Sequence, residues 1–200
     1  YAGAGGGFID WYGYPFCRGR IFDTLEKDYG QYDSAIDVFW ASGACFVIRT
    51  SDYKDVGGLD ASFFAHMEEI DLCWRLKARG KGVKCIPASL VYNVGGATLS
   101  EESAQKTYLN FRNNLLMLYK NLSEEDFAKI YRKRYWLDQL AAFKLYLSGK
   151  KENSKAVKRA YDDFNETKKN YDSVRRDNLS KSVATPNIYP KSIILAYYLR

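Results

Sequence analysis

Histidine is nearly absent from this chain: His66 is the only one among 200 residues. A zinc site built from several histidines is thereby excluded, and a Ser/His/Asp triad would have to form around that single imidazole. Cysteine is sparse as well. Cys17, Cys45, Cys73 and Cys85 show neither CxxC spacing nor the density of a disulfide-stapled mini-protein, so free thiols in a reducing, cytoplasmic setting are expected. Long hydrophobic runs are missing too: VFWASGACFVI and SIILAYYL fall short of the roughly 20 residues that span a bilayer. The first residues, YAGAGGG, lack the basic start and apolar core of a secretory leader. The chain opens without methionine, so a fragment of a longer protein is expected.

The glycines of YAGAGGGF do not make a phosphate cradle. Phe8 stands where a GxGxxG pattern begun at Gly3 needs glycine, no strand precedes it, and no GKS or GKT follows. Nucleic-acid binding finds no support in an RNP-type, zinc-finger or helix-turn-helix pattern. The net charge of +6 is modest, but Gly149 to Lys181 holds ten Lys or Arg against six Asp or Glu. A solvated helical face is the usual cause of such mixed charge, with an anionic membrane surface as the rival.

What is present is 46% hydrophobic residues, enough for one ordinary globular domain and a small appendage. Residues 1–37, rich in Gly and Tyr, show no sustained period and are expected to be a loop region. VFWASGACFVIRT, Val38 to Thr50, predicts one buried strand or two short ones. Thr50 or Ser51 is expected to cap a short helix, SDYKDV, closed by Gly57 and Gly58. EEIDLCWRLKARG predicts a helix stopped at Gly80, acidic in its first turn and basic in its last, as the helix dipole favours. GVKCIP and SLVYNV predict short strands. Three helices follow: QKTYLNFRNNLLMLYKNL, a stretch from Ser123 with Asp126 as a capping-box partner to Ser148 and Gly149, and residues 154 to about 170 with Ala156, Ala160 and Phe164 on one stripe. After Pro186 and Pro190, SIILAYYLR is either a docked element or a membrane-surface contact.

Glu68, Glu69 and Asp71 crowd one helix start directly after Phe63, Phe64 and His66. The dipole explains the placement of such charge; a catalytic base or metal site explains it equally well, and spacing alone leaves both open.

The order of motifs resembles the inverting family 2 glycosyltransferases, especially bacterial rhamnosyltransferase-like members. The matching run is FWASGACFVIR, then VGGLDASFFAHMEEIDLCWRLKARGKGVKCIPASLVYNVGGATL, then YLNFRNNLLMLYKN, about residues 38–121. YGYPFCRGRIFDTLEKDYGQYD is similar to sequence in the same subgroup. The resemblance implies an α/β class (α+β as a fragment): the second half of a GT-A nucleotide-diphospho-sugar transferase fold. Residues 1–121 would be the acceptor-side half and 122–200 a helical C-terminal extension.

The resemblance further implies transfer of a sugar from a nucleotide-sugar donor to a glycan, polysaccharide or lipid-linked acceptor, on the cytoplasmic side and at the inner membrane surface. A divalent metal, Mg or Mn, would be held in the full-length parent by a DxD motif that this chain lacks. In the family's E-D-x-D pattern the base falls on Glu69, a Glu where Asp is commoner, with Glu68 and Asp71 as orienting or structural partners. Asn93 stands where relatives often carry histidine near the donor diphosphate or its metal, and is a poorer metal ligand. Arg112 would meet diphosphate charge, against the competing reading of an ordinary surface arginine. His66 would assist proton transfer or touch the acceptor, against that of a hydrogen-bonded, partly buried histidine. Trp11, Phe63 and Phe64 are the aromatics that would face an acceptor sugar. The alternative is a non-catalytic acceptor-binding or membrane-docking module.

Overall fold

A computed structural model describes residues 5–22, 24–92 and 103–198. The described residues of Tyr1–Asp60, Glu69–Asn93 and Lys181–Arg200 form one compact unit, and those of Ala61–Glu68 and Val94–Ser180 form another. Helix and sheet are mixed, as expected for the class.

The start of the first unit is a sheet where a loop was expected. Strands β1 (Gly7–Ile9), β2 (Pro15–Cys17), β3 (Arg20–Ile21) and β4 (Thr24–Leu25) pair in order as an antiparallel meander. Strands of two or three residues are too short to display a period of two, which is why the sequence hides them. Gly7 has a further duty: a Cβ there would meet the Trp40 indole at 1.9 Å, and Trp40 Nε1 donates to the Phe8 carbonyl at 2.9 Å.

β5 (Ile36–Asp37) pairs with β6 (Lys84–Cys85). The strand expected from Val38 to Thr50 does not form. The Phe39 and Trp40 amides both turn to the Gly7 carbonyl, and a turn at Gly43 and Ala44 ends any extended run. Nor do residues 89–92 form the strand expected of SLVYNV; the rest of that segment lies outside the described residues.

Helix α1 (Thr50–Asp55) includes Thr50 rather than being capped by it, for the N-cap is Arg49 and makes no side-chain capping bond. Helix α2 (Glu68–Ala78) buries every residue from Ile70 to Leu76, so it is enclosed on all sides rather than along one stripe. It stops as expected: Gly80 has φ 75, its amide donates to Lys77 O at 2.9 Å and the Lys81 amide to Leu76 O at 3.0 Å, the paired bonds of a left-handed helix cap. The terminal helix α7 (Ile193–Tyr198) is docked. Its Ile193 amide donates to Asp10 Oδ2 at 3.0 Å, and the Tyr197 ring lies edge-on to Phe22.

The second unit is helical: α3 (Ala104–Asn121), α4 (Glu124–Leu147), α5 (Lys151–Thr167), a 3₁₀ turn (Lys168–Tyr171) and α6 (Asp172–Ser180). Ser123 caps α4, accepting from the Asp126 amide at 3.1 Å while its hydroxyl donates to Asp126 Oδ2 at 2.7 Å, as the capping-box signal predicts. Ala156, Ala160 and Phe164 are buried, the first two packing with Tyr108 and Leu109 of α3. Helix α6 has no counterpart in the expectation, and α3, placed before the division at 121 by sequence, packs with α5 and α6.

A buried polar core fixes α3, α4 and α5 together. The Arg134 guanidinium bonds to Asn114 Oδ1 at 2.5 Å and pairs with Asp138 at 3.2 Å, while the Tyr161 hydroxyl donates to the same Asp138 carboxylate at 2.7 Å. Such a pair survives burial because hydrogen bonds satisfy both charges.

Candidate active site

The segment leading into α2 is bent against its preferences. After a 3₁₀ turn, Ala61–Phe63, the non-glycine residues Phe64, His66 and Met67 have φ of 62, 70 and 73. Each left-handed residue costs on the order of 1–3 kcal/mol and persists only where its surroundings impose it.

In the second unit, the surroundings are supplied by α3. The Asn113 amide, fully buried, directs its Nδ2 to three carbonyls: Phe63 at 2.9 Å, Ala65 at 2.9 Å and His66 at 2.8 Å. Two N–H groups thus serve three acceptors by sharing. Arg112 orients that amide, its Nε donating to Asn113 Oδ1 at 2.9 Å while its Nη2 reaches Ser62 O at 2.9 Å. The guanidinium also lies over the Tyr108 ring, 5.3 Å from its centroid. Arg112, expected from the resemblance to meet a diphosphate, is therefore engaged with the loop backbone.

The same segment separates the two phenylalanines. Phe63 is fully buried, with the Lys120 ammonium 4.7 Å from its ring centre; Phe64 is 74% exposed. Among the described residues, His66 Nε2 and Glu68 Oε2 are buried atoms with no hydrogen-bond partner, and such a group calls for a water, an ion or a functional role to account for it. Burial lowers the His66 pKa, Lys106 lowers it further and Glu68 opposes them, so the ring is neutral near pH 7.

In the first unit, Glu69 stands in the first turn of α2 with the Ser42–Gly43–Ala44 turn against it. A Cβ on Gly43 would lie 3.7 Å from Glu69 Oε1 and 3.9 Å from Glu69 Cβ. Two thiols register the carboxylate. Burial pushes Cys17 up to about 11, with Arg20 opposing and Glu69 adding to the rise; burial likewise pushes Cys73 up to about 11, with Glu69 among the charges that raise it.

Asp71 is fully buried beside Arg75, whose Nη2 approaches its carboxylate at 2.9 Å and also donates to Gly58 O at 2.8 Å. Asp71 thereby steadies the glycine turn after α1. Trp11 is 57% exposed, set in a turn that Asp10 closes by accepting from the Tyr12 and Tyr14 amides at 2.9 and 2.8 Å. Asn93 lies outside the described residues.

The thiol environments carry a prediction. Near pH 8 a thiol of pKa about 11 is thiolate in roughly one molecule per thousand, so exposed Cys45 should take up iodoacetamide while native Cys73 stays unlabelled. Mass spectrometry of peptides after timed quenching checks this.

Sequence reasoning overlooked Asn113 and Asp10. Asn113 continues the register of buried Leu109, Leu116 and Met117, and an amide on the core face of a helix signals a required backbone partner. For Asp10 only the local turn could be read from the sequence; its second carboxylate oxygen accepts from Ile193 of α7, far along the chain.

Residues 3–166 match the family described as "Glycosyltransferase like family 2". Among curated proteins, the chain is 32% identical over 77 residues to a low-salt glycan biosynthesis hexosyltransferase of Haloferax volcanii, covering 38% of this chain and 25% of that protein. It is 38% identical over 73 residues to the rhamnosyltransferase WbbL of Escherichia coli, 36% of this chain and 27% of that one. It is 35% identical over 66 residues to an N-acetylglucosaminyl-diphospho-decaprenol L-rhamnosyltransferase of Mycobacterium tuberculosis, 33% and 22% respectively. These matches span about a quarter of each relative's length. No solved structure matches.

Proposed function

Because the chain belongs to the glycosyltransferase-like family 2, we propose that its parent protein transfers a sugar from a nucleotide-sugar donor to a glycan, polysaccharide or lipid-linked acceptor, with inversion and with Glu69 as general base. The observation that carries this is the Glu69 carboxylate in the first turn of α2, a helix that begins directly after two left-handed residues, His66 and Met67. Strain of that kind collects where a side chain must be aimed.

The chemistry needs one proton acceptor. Glu69 takes the proton of the acceptor hydroxyl as its oxygen attacks the anomeric carbon, and the nucleoside diphosphate leaves with the electrons of the broken C–O bond. No covalent enzyme intermediate forms, and the anomeric centre inverts. Within the second unit, neutral His66 and the Glu68 carboxylate offer hydrogen bonds and the exposed Phe64 ring an apolar face; within the first, the exposed Trp11 ring offers an apolar face to a sugar. Asp71 acts through Arg75, as a positioning residue. A lipid-linked acceptor draws support from the decaprenol-linked substrate in the name of the Mycobacterium relative.

Residues 1–121 are proposed as the acceptor-side half of a GT-A domain, with 122–200 as a helical extension. The parent's divalent metal, Mg or Mn, would supply charge neutralisation at the departing diphosphate. Among the described residues no three of His, Cys, Asp or Glu are grouped to hold one, so the residues here do not fit that ion and no step runs through it.

The test is stereochemical. The intact parent, given a panel of nucleotide sugars and a lipid-diphosphate acceptor, should give a product whose anomeric configuration, read by proton NMR, is opposite to the donor's. Retention would overturn both the inversion and the role of Glu69.

A further inference from the structure

Helix α4 leaves one face without cover. Trp136, Leu140, Phe143 and Leu147 are 70%, 65%, 58% and 68% exposed, and steps of four, three and four place them on one stripe. The opposite face is buried through Phe127, Ile130, Arg134, Asp138 and Ala142, so the helix needs no apolar stripe outside for its own stability.

Beyond its acidic first turn, α4 carries exposed charge of one sign. From Phe127 to Lys151 the only carboxylate is Asp138, which is buried against Arg134 and Tyr161. Arg132, Lys133, Lys144, Lys150 and Lys151 are all exposed in the same stretch, while Lys129, also exposed, pairs with Glu125 at 2.6 Å. We propose that this face of α4 docks on an anionic phospholipid surface, with Trp136, Leu140, Phe143 and Leu147 at the acyl boundary and the lysines and arginines against lipid phosphates.

The pattern selects that occupant. A second copy laid on the stripe would oppose Arg132, Lys133 and Lys144 with their own kind, and a contact of about three turns falls short of the roughly 800 Å² per partner of a stable interface. An anionic bilayer satisfies both features at once: a tryptophan suits the headgroup level, apolar side chains the boundary beneath it, and basic residues the surface potential. Among the described residues no helix is long and apolar enough to cross a membrane, so the contact is peripheral. It involves a different helix from the docked α7.

Binding of the full-length parent to vesicles tests this without any transfer readout, so it stands apart from the reading of the site. The protein should sediment with vesicles of equimolar phosphatidylcholine and phosphatidylglycerol at low salt, and release as salt rises. Phosphatidylcholine alone should retain at least tenfold less. Each basic side chain at the surface is worth about fivefold in partitioning, so Arg132→Glu with Lys133→Glu should weaken binding by far more than tenfold. Trp136→Ser with Phe143→Ser should weaken it at least tenfold, while Arg176→Glu on α6, an equal charge change per site, should matter little. All these side chains are exposed, and circular dichroism confirms that the variants fold. No sedimentation with the anionic vesicles at low salt overturns the proposal. So does a lipid-independent dimer that Trp136→Ser with Phe143→Ser dissolves, or binding to an acidic polypeptide that matches the vesicles in strength and in its response to the variants.

Discussion

Glu69→Gln in the intact protein should lower transfer by about 10²–10⁴-fold, the usual worth of a positioned general base, while donor affinity is unchanged. The amide keeps the size of the side chain and its packing against Gly43, where a Cβ would lie 3.7 Å from Oε1, but cannot accept the acceptor's proton. Glu69→Asp should retain part of the activity, because it keeps the carboxylate and shortens its reach by one methylene. A purely structural Glu69 would predict the reverse order, the isosteric amide tolerated better than the shorter acid.

A second readout needs no substrate. Glu69 adds to the upward shift of both Cys17 and Cys73, so removing its charge should lower both thiol pKa values and leave the larger contribution of burial in place. Alkylation of Cys17 in the folded variant should then rise at a lower pH than in the natural protein. Unchanged turnover together with the expected thiol shift would show a correctly placed, noncatalytic carboxylate and sink the base assignment.

Helices α3, α4 and α5 were legible because each carries several turns of periodic burial: α4 begins at its Ser123 cap, and the α5 stripe of Ala156, Ala160 and Phe164 is buried as the spacing requires. The meander at residues 7–25 was not, since its pairing rests on backbone bonds among strands of two or three residues and on Gly7 making room for Trp40. VFWASGACFVI read as strand because its residues favour one, yet the Gly7 carbonyl and the turn at Gly43 redirect its backbone. At the candidate site, the carboxylates of EEID and their polarity along α2 could be read directly. The left-handed φ values of Phe64, His66 and Met67 could not, because nothing local favours them; they are imposed from α3, about 47 residues away along the chain.

Asn113→Ala is where that imposed geometry should fail. The substitution removes the donor shared by the Phe63, Ala65 and His66 carbonyls, and a buried acceptor left without its partner costs about 1–3 kcal/mol. Relaxation of the left-handed residues, on the order of 1–3 kcal/mol each, offsets part of that loss. The net destabilisation should therefore be only about 2–4 kcal/mol, measured by urea unfolding. Activity should fall much further than stability, since the strained backbone that sets the start of α2 is what relaxes. Asn113→Asp isolates the donors from the packing. It preserves shape and the oxygen that accepts from Arg112, but turns its second carboxylate oxygen toward the same three carbonyls, so it should be at least as damaging as alanine. Turnover that stays normal in folded Asn113→Ala would mean that the loop conformation does not depend on this amide. Loss of kcat at conditions where the variant is still folded would make Asn113 a positioning residue for His66 and Glu68.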